Sequence, residues 1–240
     1  MFYIGVLGFI ATAIGIGLGG LLTMLLKRFQ QGIATIYALC TGLILGLVFL
    51  EIVPESINLG GWTIFILGIV TGSLLFLLIH QTYSKVTTIN HHSSKDLFMH
   101  TGYLLAISIS IHNFPMGIAF GSSQHTGISD SILQTLILHN IPEGIAMFTP
   151  LLLAGLGIYE LLLFTCIVSL PVGIGAVLGS MVGMDYPALW AFIISLAVGI
   201  MIMVTLKEIF YEALRHSSMV YSLLISGVGA LIIGMYLRTI

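Results

Sequence analysis

Residues 111–121 read IHNFPMGIAFG, and residues 138–148 read LHNIPEGIAMF. Each stretch sets a histidine, an asparagine and a proline among residues otherwise suited to lipid, and the two histidines are 27 positions apart (139 − 112). The chain around them is 240 residues long, 58% hydrophobic and 7% charged, with a mean hydropathy of +1.14. Soluble domains carry about 25% charged residues, so an ordinary soluble globule is excluded. Crossing the hydrocarbon takes roughly 17–25 apolar residues per helix. Eight such runs follow one another, at about 2–26, 33–53, 62–79, 100–120, 131–153, 159–182, 186–206 and 220–237. Their connections are short, which predicts one all-α integral membrane domain over residues 1–240, embedded in the lipid bilayer.

The few basic residues orient it. Lys27 and Arg28 follow the first span, Lys85 and Lys95 the third, and Lys207 and Arg215 the seventh, while the loops after the second, fourth and sixth spans have none. Basic loops stay in the cytoplasm, so both termini are expected outside. The short histidine-containing loop at 84–98 is expected inside. No Lys or Arg precedes the first span, a poor match to a cleaved signal peptide, so that span is expected to remain. Cys40 and Cys166 lie inside spans, form no CxxC pair, and read as small buried apolar residues. There is no basic stripe, so nucleic acid is not an expected partner.

The central motifs occupy consecutive spans, which run in opposite directions and relate the copies by a two-fold axis in the membrane plane. A second echo lies further out: FLEIVPES at 49–56 resembles TLKEIFYEA at 205–213. Both hold glutamates at i,i+4, as Glu51 with Glu55 and Glu208 with Glu212. The simplest scheme pairs spans one to three with spans six to eight, inverted, around a central pair. Inverted repeats with interrupted helices at the midplane are a transporter signature.

Spacing then places the chemistry. His139 and Glu143, at i,i+4, stack on one helix face. Pro142 cannot donate a backbone hydrogen bond and crowds the carbonyl four residues back, which loosens the helix beside the histidine. Gly144 lets a neighbouring helix approach. In the other copy, His112 shares a face with Met116 and Pro115 plays the part of Pro142. A carboxylate at the bilayer centre costs at least about 2.5–3.5 kcal/mol, and His and Asn need partners there. Facing one interior, the two spans offer His112, Asn113, Met116, His139, Asn140 and Glu143. Imidazoles with a carboxylate suit zinc and neighbouring divalent metals, whereas a polar seam of His and Asn bonded to each other is the blander alternative.

HNFPMG and HNIPEG resemble the fourth- and fifth-span motifs of the ZIP (Zrt/Irt-like protein) family of divalent metal transporters. The likeness extends over nearly the whole chain and includes VPES closing the second span. It implies a three-plus-two-plus-three arrangement and movement of zinc, often iron or manganese, into the cytoplasm. The metal would be transported substrate, with no resident cofactor. The chain departs from the family pattern at Met116, where a glutamate is usual, and at Leu170 in LPVG, where E-P-x-G is common. With Glu143 the one carboxylate left in the core, a single metal on His112, His139 and Glu143 is expected. Two dications would leave large uncompensated charge in low dielectric. Met116 is a soft or packing neighbour.

Outside the core, Glu51, Glu55, Glu208 and Glu212 are candidates for an ion pathway, and His91 and His92 for loose metal capture in the 84–98 loop. Asp130 reads as a helix cap, and Asp185 with Pro187 as a turn. A multi-pass cell-membrane location follows, and self-association into a homodimer is compatible with it. Two alternatives use the same residues: an intramembrane zinc-dependent hydrolase with a metal-bound water, and a non-transporting, metal-sensing family member. No HExxH motif is present. The chain is not expected to be an enzyme.

Overall fold

The structure, a computed structural model, describes residues 2–26, 32–87, 94–123, 129–182 and 186–238. Helices account for nearly all of them, with no strand among the described residues: α1 (Phe2–Leu26), α2 (Ile33–Leu47), α3 (Val53–Thr87), α4 (Ser94–Ser122), α5 (Ser129–Leu153), α6 (Ile158–Val182), α7 (Pro187–Val204), α8 (Tyr211–His216) and α9 (Met219–Leu237). Two wider π-helical turns interrupt them, Val48–Ile52 after α2 and Thr205–Phe210 after α7. Each carries the first glutamate of one echoing segment, Glu51 or Glu208. Such turns hold one residue more than an α-turn and are frequent at functional sites.

Among the described residues, seven helical stretches are long and apolar enough to cross a bilayer. The sequence leads one to expect eight; the difference lies between the second and third spans, where helix continues from Ile33 to Thr82 over 50 residues. An unbroken helix of that length would measure about 75 Å, against a hydrocarbon thickness of about 30 Å. The stretch is instead broken at Gly61, whose φ of 75° and ψ of 172° are non-helical and favour glycine. Helix continues past Pro54, which has no N–H to donate, because it comes just after the π turn, where the hydrogen-bond ladder is already shifted. The π turn just before it moves the Val53 N–H onto the Val48 carbonyl. Further along, α5 stops in a Schellman motif: Leu156 N–H donates to Leu151 O, Gly155 N–H donates to Leu152 O, and Gly155 has φ 94°.

Helices α1, α4, α5 and α6 pack closely among themselves, as do α3 with α7 and α2 with α9; α2–α5 and α4–α7 contacts join the two groups. Small residues permit this approach, as usual between helices in lipid. In the α4–α6 seam, a Cβ on Gly117 or Gly121 would strike the Val172 or Ala176 carbonyl, and one on Gly175 or Gly179 would strike Phe114 or Ile118. Apolar side chains such as Leu21, Leu74, Leu163 and Leu231 cover the outside, a surface that only lipid or another apolar face can solvate.

Two expectations change on this outer surface. Leu170 is 54% exposed and lies in an apolar groove with Phe2, Val6 and Phe9 of α1. It points away from the centre, so its identity does not alter the ligand set. Cys40 is buried as expected, but Cys166 is exposed on the outer side of α6. Helix also reaches into 84–98 from both ends, as far as Thr87 and from Ser94. His91 and His92 lie outside the described residues, as does Asp185 and the side chain of Asp130.

Candidate metal centre

The two motif helices meet at the middle of the bundle, and three side chains converge there. One nitrogen each from His112 and His139 and one oxygen of Glu143 all lie within 4.8 Å of one another. The three residues are buried, at 1%, 1% and 2% exposure. No other group of three or more His, Cys, Asp or Glu side chains among the described residues is gathered this way.

Each imidazole is oriented by its own helix. His112 Nδ1 lies 3.2 Å from the carbonyl of Ser108, and His139 Nδ1 lies 2.5 Å from that of Thr135. A carbonyl only accepts, so Nδ1 carries the proton in both rings and Nε2 presents a lone pair; metal-binding histidines are commonly fixed this way. His112 Nε2 is 3.2 Å from Glu143 Oε1 but makes no hydrogen bond there. Two electron-rich atoms thus face each other in a region closed to water. His139 Nε2 has Asn140 Nδ2 at 3.2 Å, and the same amide donates to Leu136 O at 2.6 Å. The Asn113 amide donates across to Val168 O of α6 at 3.1 Å.

The acceptors left over decide the chemistry. Glu143 Oε2, Asn113 Oδ1, Asn140 Oδ1 and His112 Nε2 are all buried without a hydrogen-bond partner. An unsatisfied buried polar group costs about 1–3 kcal/mol, and more if charged. A polar seam would pair donors with acceptors; these four atoms offer only lone pairs, which is what a cation requires. Two imidazoles and one carboxylate match zinc's ordinary ligands and leave a fourth position open. Met116 is buried at 4% and belongs to the apolar core with Phe120 and Val172, so packing accounts for it.

Sequence reasoning missed two hydroxyl residues at the centre and a third on α6, next in sequence to Val168, whose carbonyl accepts from Asn113. Ser108 and Thr135 stand four positions before the two histidines, a feature visible as S-x-x-x-H-N-x-P and T-x-x-x-H-N-x-P had the repeat been extended backward. Ser169 on α6 is fully buried with its Oγ unpartnered, and only the rotation of α6 identifies it.

The four outlying glutamates do not behave alike. Glu51 is half-buried and accepts a 2.5 Å hydrogen bond from Thr135 Oγ1, beside a cavity of about 280 Å³ that Gln134 and Leu138 also line. Glu55 is exposed. Glu208 is buried with His80 Nδ1 at 2.9 Å. Glu212 is buried with Arg215 Nη1 at 2.9 Å and His216 Nε2 at 3.6 Å.

Residues 80–237 match the family described as ZIP Zinc transporter. An Arabidopsis thaliana protein named a "putative zinc transporter" is 26% identical over 216 residues, which are 87% of this chain and 34% of that protein. Zinc transporter ZIP10 of Homo sapiens is 24% identical over 145 residues, 57% of this chain and 17% of that protein. The chain therefore spans about a third or less of the length of these curated relatives. The family match takes in the whole of the centre, both histidines and Glu143 included, and the chain belongs to the ZIP zinc transporter family.

Proposed function

We propose that this chain carries a divalent cation, zinc first and iron or manganese as competitors, across the cell membrane into the cytoplasm. Transport proceeds by alternating access around one midplane site, where His112, His139 and Glu143 bind the ion while Asn113, Asn140 and Met116 line it. The observation that carries this reading is the buried cluster of three ligand atoms within 4.8 Å, with His112 Nε2 and Glu143 Oε2 left without a hydrogen-bond partner. A site with three protein ligands and an open fourth position binds an ion without encaging it, as passage demands. Family membership favours transport over zinc-dependent hydrolysis.

The architecture that goes with this reading is eight spans in an inverted three-plus-two-plus-three arrangement, both termini outside. Its support is the break at Gly61 in a stretch twice the length of a span, together with packing that comes in exchanged pairs. The α1–α5 contact has its counterpart in α4–α6, α3–α7 in α2–α9, and α2–α5 in α4–α7. The π turns at Glu51 and Glu208 exchange in the same way. Glu51 and Glu55 attract cations on the outer side, Glu208 and Glu212 receive them within, and His91 and His92 capture them in the loop. The protein works in the bilayer as a monomer or homodimer.

The test is uptake of radiolabelled zinc into sealed liposomes holding the purified protein, with unlabelled iron(II) and manganese(II) as competitors. Zinc accumulation above protein-free vesicles, lost on His112→Ala with His139→Ala, is expected. Zinc that binds but never enters would refute transport and leave metal sensing.

A further inference from the structure

The two halves of the centre are matched in sequence but not in contacts. Thr135 and Ser108 occupy the same place, four residues before a ligand histidine, and each lends its carbonyl to that histidine's Nδ1. Both hydroxyls are buried, at 7% and 1% exposure. Thr135 Oγ1 donates to Glu51 on the first π turn. Ser108 Oγ has no partner, although the second π turn supplies the corresponding carboxylate, Glu208. That carboxylate lies beside His80 of α3, Oε1 at 2.9 Å from Nδ1 but with no hydrogen bond between them. The helix that leads into the second π turn, α7, packs on α4 as α2, which leads into the first, packs on α5.

An orphaned hydroxyl in a low-dielectric interior is unfavourable, and it stands where the other half of the molecule has a filled hydrogen bond. We propose that Glu51 and Glu208 are alternating positioning residues: Glu51 holds Thr135 in the conformation described here, and Glu208 leaves His80 to hold Ser108 in the opposite one. Each contact joins a π turn of one helix group to the helix bearing a ligand histidine in the other. Making one and breaking the other steadies the imidazole on whichever side is engaged. The proposal rests on transport by alternating access. It adds that the two hydroxyls set the balance between the two states, with effects of opposite sign.

Opposite sign is what the experiment reads. Gln134, which lines the cavity beside Glu51, is replaced by cysteine as a reporter in a Cys166→Ser background. Its reaction rate with a membrane-impermeant maleimide is followed in liposomes, alone and with Thr135→Val or Ser108→Ala. Both substitutions leave the backbone carbonyl, and so the histidine tautomer, in place. Thr135→Val removes the contact that favours the present state, and Ser108→Ala removes the one that favours its opposite. The equilibrium constant between the two states, as the labelling rate reports it, should move in opposite directions, each by about threefold to tenfold, the shift that one hydrogen bond of ordinary net strength gives. Equilibrium constants that move together, or that both stay within about 1.5-fold of the parent, overturn the proposal. Zinc uptake by the parent is measured on the same vesicles. Uptake present with rates moving together removes only the alternation; uptake absent removes the transport reading and the alternation with it.

Discussion

Glu143→Gln separates what the carboxylate does for the metal from what it costs the empty protein. Gln keeps the size and one carbonyl oxygen but removes the charge. A dication about 2.1 Å from a carboxylate oxygen, the usual zinc length, gains about 4 kcal/mol from a unit charge even at the dielectric of bulk water. That is roughly a thousandfold in Kd, and a buried site at 2% exposure screens less than water. The empty protein should respond the other way. Oε2 has no partner and Oε1 faces the lone pair of His112, so neutralising the group should stabilise the fold by up to about 3 kcal/mol on insertion scales. The assay is thermal unfolding of purified protein in detergent, with and without zinc. At zinc a hundred times the parent's Kd, the parent gains about 2.7 kcal/mol and the variant about 0.1 or less. The variant should therefore start with the higher Tm and gain almost nothing from metal. A Kd within about tenfold of the parent and an unchanged metal-free Tm would refute the assignment of Glu143 as a ligand.

Zinc titrated into the unmodified protein, followed by calorimetry, should saturate at about one equivalent, because the core holds one carboxylate's worth of compensating charge. Met116→Glu adds a second; two close carboxylates hold a proton between them that metal displaces, so proton release on binding, read in buffers of different ionisation enthalpy, should rise. His112→Ala with His139→Ala should abolish zinc binding in calorimetry while circular dichroism still shows a fully helical protein. A thiol introduced at Ser93 should be shielded from impermeant reagents in intact cells and one at the C-terminus should react; the reverse pattern would invert the orientation.

Much of this molecule is legible in its sequence because lipid simplifies the problem. With no water to satisfy backbone groups, helices are the one solution for long apolar runs, and a polar residue inside one is conspicuous. His112, His139 and Glu143 could be found for that reason, and i,i+4 spacing was enough to put His139 and Glu143 on one face. What spacing cannot give is the rotation of a helix about its axis relative to neighbours in another part of the chain. One residue is 100° of turn, and that angle separates buried Ser169 from exposed Leu170. The seam of Gly117 and Gly121 against Gly175 and Gly179 fixes the rotation of α6, and it involves residues nearly 60 positions apart that carry no shared local pattern. The π turns were hidden for a related cause. Pro54 hints at the first, but nothing local marks Thr205–Phe210, where i,i+4 arithmetic treats Glu208 and Glu212 as a simple stacked pair. The continuity of helix up to Gly61 is not legible because Pro54 and Gly60–Gly61 look like loop punctuation, whereas a proline just after a π turn leaves the helix continuous.

The histidine anchors carry a consequence for how such a centre can arise. The proton on each ring is fixed by a carbonyl four residues back on the same strand of backbone, Ser108 for His112 and Thr135 for His139. No residue from elsewhere in the chain has to be recruited to select the tautomer. A copied segment of about ten residues, once helical, therefore brings a ready ligand with it. Gene duplication followed by insertion in the opposite orientation would yield two usable imidazoles at once, without a period of mutual adaptation between them. The later divergence of one copy, Met116 against Glu143, could then proceed while both rings still pointed the same nitrogen at the same place.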